Sequence, residues 1–136
     1  YSKKKEEKDP LMDYLLSFQE RMGHAKTLLT DKEKTAFFFV TLAEALPIAV
    51  ITRFIAWFKE FGIPVGGVVV NMLIEKSQVK AESPEFVRNR VAMQDNYMKE
   101  IETLFAGMVR AVLPLFETEV RGVEMLKRTA NALYGA

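Results

Sequence analysis

From Leu11 onward, apolar side chains return at Leu11, Leu15, Phe18, Met22, Ala25 and Leu29, with Glu20, Arg21 and Lys26 on other faces. Alternating steps of four and three predict an amphipathic helix. Asp9 suits its N-cap and Pro10 its first turn, and the polar residues 30–34 end it. The period then changes: residues 35–41 form a short continuous run rich in phenylalanine, which reads as a strand covered on both faces. Next come two apolar rows at helical spacing, Ile48, Ile51, Ile55 and Phe58 in one, Val50, Phe54, Trp57 and Phe61 in the other. A helix patterned this way is expected to be buried widely. Pro47 falls near its first turn and Gly62 supplies the stop. Residues 62–67 then lead into a second strand at residues 68–73, dense in β-branched side chains.

Residues 77–82 are polar and predict a loop, after which Ser83, Pro84 and Glu85 offer a cap, a first-turn proline and an early acid for a long helix. Val87, Val91, Met98, Ile101 and Phe105 carry its core stripe, with Gln94 as the one polar member, until Gly107 closes it. Residues 108–113 predict a third strand ending at Pro114, and residues 115–121 a connector. Val123, Leu126, Ala130 and Leu133 mark a last helix that stops at Gly135. The expected order is α-β-α-β-α-β-α. Helix-length connections between strands imply an α/β fold, a parallel sheet of about three strands with right-handed crossovers and helices on both faces. So narrow a sheet leaves two edges open to association, and strands this apolar suggest that part of the sheet is missing.

The chain has 136 residues, 49% of them hydrophobic, with 19 Lys+Arg against 18 Asp+Glu and no cysteine. A soluble domain of that length buries about 70% of its unfolded surface and folds without staples. Without cysteine there is no disulfide, thiolate zinc site or cysteine nucleophile in these residues, and a reducing, cytoplasmic setting is expected. A net charge of +1 lacks the basic footprint of nucleic-acid binding, so no nucleic-acid partner is expected. Residues 1–9, starting at Tyr1, are charged and read as a flexible leader at a cut end, with the folded part at 10–136. No secretory signal is recognisable there. The longest apolar stretch, residues 36–51, is interrupted by Thr41, Glu44 and Pro47 and is too broken to span a bilayer.

In an open α/β sheet a ligand lies beyond the carboxyl ends of the strands. That nominates residues 41–44, Asn71 with Met72, and residues 114–121. Asn71 stands out because it follows three valines with an amide that both donates and accepts. A planar base with adjacent donor and acceptor atoms would match it; equally, the amide could only end the strand or bond a neighbouring loop. Gly62, Gly66 and Gly67 precede a strand and lack a following Lys-Ser/Thr, so they form no phosphate cradle. Glu44 and Glu119 read as carboxylates used for solvation, capping or ion pairing. His24 has no second ligand at metal-binding spacing, and the methionines at helical spacing read as packing residues.

Four stretches, residues 37–46, 68–71, 93–101 and 114–122, occur in an order that resembles the C-terminal part of the ArsA-type ATPases. That family comprises arsenite-pump ATPases and targeting factors for tail-anchored membrane proteins. The resemblance covers nearly the whole chain from about Leu11. It implies a portion of a larger P-loop NTPase-like domain that works as a homodimer on ATP, with a membrane pump subunit or a membrane-protein client as further partner. It also implies that Asn71 hydrogen-bonds adenine, that Pro114 and Leu115 line the base, and that Phe116 begins the rest of the adenine loop. The P-loop lysine, magnesium-binding acid and water-positioning aspartate of the family lie upstream, so this chain alone is expected to hold no Mg and hydrolyse no ATP. Many targeting factors carry a Cys-x-x-Cys zinc clamp at the dimer interface; the matching positions here are Pro84 and Val87, which puts a zinc bridge in doubt. The first helix is expected to border the client-binding subdomain.

Overall fold

The computed structural model describes residues 9–135. Except for Asp9, the expected leader at 1–9 lies outside the described residues. The elements are α1 (Pro10–Thr30), β1 (Phe37–Leu42), α2 (Ala45–Glu60), β2 (Val65–Leu73), α3 (Glu85–Leu104), β3 (Val109–Pro114) and α4 (Gly122–Tyr134), with a 3-10 turn at Lys76–Gln78. The three strands are parallel in the order β1-β2-β3, as the helix-length connections require. Asp9 caps α1 by accepting the Leu11 N–H at 3.0 Å, and Pro10 occupies the first turn. Gly135 ends α4 in the left-handed conformation.

The central strand starts earlier than its β-branched run suggests. Phe37 pairs with Val65, so Gly66 and Gly67 belong to β2 and not to a lead-in loop. Gly67 must lack a side chain: a Cβ there would lie 2.3 Å from Cγ of Arg110 and 2.7 Å from the Met108 carbonyl oxygen. Arg110 crosses at this point, its Nε donating to the Gly66 carbonyl at 2.9 Å. The start of α3 also differs. Pro84 occupies the N-cap, while the Ser83 hydroxyl accepts the Lys80 N–H at 3.0 Å, closing the preceding turn instead of capping the helix.

One core joins α2, α3 and a single face of the sheet. It contains Ala43, Ile48, Ile51, Ile55, Val68, Val70, Ile101 and Phe105. Phe58 stands edge-on to Phe37 and Phe39, with ring centroids 5.0 and 5.1 Å away, a favoured aromatic geometry. Because the strands advance in one direction with crossovers of one hand, both crossover helices fall on the same side. The expectation of cover on both faces is therefore corrected for β1, where Phe38 and Val40 point away from the core at 57% and 60% exposure.

Periodicity misjudged three further faces. On α2 only the Ile48 row is buried, while Val50, Phe54, Trp57 and Phe61 lie outward. On α4 the predicted stripe holds at Ala130 and Leu133, which are half-buried, but its first two members, Val123 and Leu126, are exposed, and Met125 and Thr129 are half-buried in their place. A helix with two apolar rows can present either, and the neighbouring strand decides. None of the residues of α1 is buried, so its amphipathic stripe has little of the chain against it. No helix of the described residues is long and apolar enough to cross a membrane.

Candidate functional site

The parallel strands bring the three nominated segments to one end of the sheet. Leu42 pairs with Asn71, Leu73 pairs with Pro114, and the Leu115 N–H donates to the Leu73 carbonyl at 2.8 Å. Asn71, Pro114 and Leu115 thus share one sheet corner, with Pro114 beside the residue two positions past Asn71. Phe116 meets α4, with the Arg128 guanidinium 5.2 Å from the centre of its ring.

Asn71 does not end its strand, since β2 continues to Leu73. Its Oδ1 accepts the N–H of the next residue, Met72, at 2.9 Å. A backbone N–H can only donate, so the amide atom facing it is the oxygen, and Nδ2 is directed elsewhere. Met72 takes a left-handed conformation with φ 57°, the one non-glycine residue to do so among the described residues. For a side-chain-bearing residue that conformation costs about 1–2 kcal/mol, so contacts around it must hold it.

Those contacts come from α3. Gln94 is 4% exposed, and its Nε2 donates to the Met72 carbonyl at 3.1 Å while its Oε1 accepts the Ile74 N–H at 3.0 Å. The pairing of β2 with β3 is irregular between Val70 and Leu73, and the Gln94 amide serves the backbone on both sides of Leu73 there. Nearby, Arg90 pairs with Glu44, in line with the ion-pairing reading of that carboxylate, and Lys76 reaches Asp95 at 2.8 Å. Leu42, Glu44, Met72, Arg90, Gln94 and Leu115 help to line a crevice of about 100 Å³. Typical small-molecule pockets start at about 300 Å³, so this crevice is too small to enclose a ligand of that size. A wider hollow of about 600 Å³, between Lys32, Lys59, Gly62 and Met108, lies at the opposite end of the strands.

The loop after β3 is tied to α4 by a two-pronged ion pair. Arg128 Nη1 donates to Glu117 Oε1 at 2.6 Å and Nη2 to Oε2 at 3.2 Å. The hydrogen bond from Arg128 is the main cause that lowers the Glu117 carboxyl below its ordinary pKa, and the same bond raises that of Arg128. Glu119 and His24 are exposed. Among the described residues no three His, Cys, Asp or Glu side chains group as a metal site.

The family model of anion-transporting ATPases matches residues 1–135. The chain belongs to that family. It is 31% identical over 121 residues to a putative arsenical pump-driving ATPase 1 of Aquifex aeolicus, covering 89% of this chain and 31% of that protein. An ATPase GET3 of Ajellomyces dermatitidis is 30% identical, over 92% of this chain and 36% of its own length. An ASNA1 homolog of Trypanosoma cruzi, also called an ATPase, is 29% identical over 90% of this chain and 34% of its own. The chain therefore spans about a third of the length of these curated relatives. In this member of the family, Gln94, Arg90 and Arg128 shape the strand-end corner without having been nominated from sequence. Gln94 alone carried a signal, as the polar member of an apolar stripe.

Proposed function

We propose that the chain is the C-terminal segment of an ATP-driven arsenite-transport or tail-anchored-protein-targeting ATPase, and that it supplies the adenine end of the nucleotide site. The observation that carries this reading is the Asn71 amide at the strand-end corner, held by its bond from Met72. Oδ1 spends one lone pair on that N–H and keeps one, and Nδ2 keeps its protons. Adenine offers an amino donor beside the N7 acceptor, which an asparagine amide matches in two bonds. Guanine offers two acceptors on the same edge, and an amide whose oxygen is pinned cannot turn to suit them. Pro114 and Leu115 would flank the base, with Phe116 opening the loop that continues past it.

Nothing in this sequence suits the phosphates or Mg. ATP and its metal would rest on upstream parts of a longer protein, so hydrolysis would need the rest of the ATPase domain. A cytoplasmic homodimer with a membrane pump subunit or membrane-protein client is the assembly proposed. The uncovered sheet face at Phe38 and Val40 favours a second reading, a truncated relative that serves as an interaction and oligomerisation module.

Base preference separates the two. In the full-length protein, Asn71→Ala should reduce the ATP-over-GTP preference by about five- to 150-fold, the worth of a two-bond base contact. Phosphate contacts would remain, so much of the overall nucleotide affinity should survive. A preference unchanged from wild type in a competition binding assay would remove Asn71 from the site.

A further inference from the structure

The left-handed residue next to Asn71 is an energetic liability held from a distance. Met72 is half exposed, so its side chain gives little packing to fix its backbone. The restraint comes instead from Gln94, 22 positions away, which grips the carbonyl of Met72 and the N–H of Ile74 with both ends of one buried amide. An unpartnered backbone group in this partly buried corner would be costly, so the amide and the kink stabilise each other. The Met72 N–H that fixes Asn71 belongs to the same residue whose carbonyl Gln94 holds.

We propose that Gln94 is a positioning residue for base selection: by clamping Met72 in its left-handed conformation, it fixes which way the Asn71 amide faces. This rests on the reading of Asn71 as the residue that meets adenine. Without the clamp, Met72 relaxes toward extended backbone, its N–H turns away from Oδ1, and the Asn71 amide rotates freely. A free amide meets either purine, so discrimination falls while the phosphates are bound as before. A residue that merely filled the core would change stability and leave base preference alone.

The test is a set of full-length variants assayed for competition between ATP and GTP, with thermal unfolding monitored in parallel. Gln94→Met, close to isosteric, should lose about two- to tenfold of the ATP preference. Asn71→Ala should lose its preference as stated above, and adding Gln94→Met to it should cause no further loss, because Gln94 acts only through Asn71. If Asn71→Ala loses preference and Gln94→Met does not, or if the two losses multiply, the positioning role is overturned and the adenine reading stands. If Asn71→Ala leaves preference intact, the adenine reading falls and takes this role with it. Gln94→Glu covers the case in which the apolar replacement does not fold. Its carboxylate cannot donate to the Met72 carbonyl, but its protonated form can, and burial raises the pKa of such a carboxyl. ATP preference in Gln94→Glu should therefore recover as pH is lowered, relative to a wild-type control at each pH. A profile that tracks wild type throughout overturns the proposal.

Discussion

Replacing Ile101 by alanine tests whether α3 is seated on the sheet as described. Ile101 is fully buried within the core that contains Val68 and Val70 of β2, and it lies on the same stripe of α3 as Gln94. Truncating a buried isoleucine to alanine costs about 2–5 kcal/mol, the transfer of the lost methyl groups plus the cavity they leave. The upper half of that range applies, because one wall of the cavity is hydrogen-bonded sheet carrying β-branched valines, which have little freedom to collapse inward. A chain of this kind has about 5–15 kcal/mol in total, so the loss is a large fraction of its stability. The matched control is Leu126→Ala on α4, 59% exposed and expected to change stability by less than about 0.5 kcal/mol. Urea unfolding with linear extrapolation measures both. Equal losses for the two variants, or a loss below about 1 kcal/mol at Ile101, would refute the assignment of core faces on α3 and α4.

The bond from Arg128 depresses the pKa of Glu117 below 4.5, so the loop's tie to α4 is fully present above that unfolded value and fades as pH falls through the lower folded one. Amide exchange in residues 115–121 should be flat above about pH 5 once corrected for intrinsic rates, and extra acid-induced opening should be absent in Glu117→Gln; a transition near neutrality would contradict this. Gly67→Ala should destabilise by about 1–3 kcal/mol, since the Met108 carbonyl that a Cβ would meet at 2.7 Å belongs to the backbone. Gly23→Ala, with nothing within 4 Å on exposed α1, should instead stabilise that helix by about 0.5–1 kcal/mol, and thermal unfolding with circular dichroism distinguishes the two. The 136-residue chain on its own should self-associate through its exposed apolar face, Phe38 and Val40 included, and a monomer at high concentration by light scattering would argue otherwise.

The parts of the fold legible from sequence are those set by neighbours along the chain. The Asp9–Pro10 start of α1 and the Gly135 stop of α4 are local turn chemistry, and β2 declares itself through three successive valines. Asn71 stood out in the sequence because an amide follows three valines, but that β2 continues past it to Leu73 was not visible there. What stayed hidden is decided across the chain. Whether Met125 or Leu126 faces inward depends on how α4 meets β3, not on period, and Val50 and Phe54 of α2 lie outward because the sheet meets only one row. Gln94 could be seen as odd within its stripe, but its two bonds depend on the left-handed turn at Met72, which no local pattern announces. Arg128 and Glu117 are ordinary surface charges until the loop folds back on α4.

The parallel sheet also has a kinetic consequence. With no hairpin among its strands, each pairing must wait for a whole helix to be laid down between partners: α2 before Phe37 can meet Val65, α3 before Val68 can meet Val109. Closing such long loops costs entropy before any ladder bond repays it, which makes topologies of this kind slow to form. In this picture the central strand β2 is paired on both edges only once β3 has docked, and the kink at its end, which needs both β3 and the Gln94 of α3, matures later still. A chain arrested before that stage would have its helices and much of its core yet lack the ordered backbone beside Asn71.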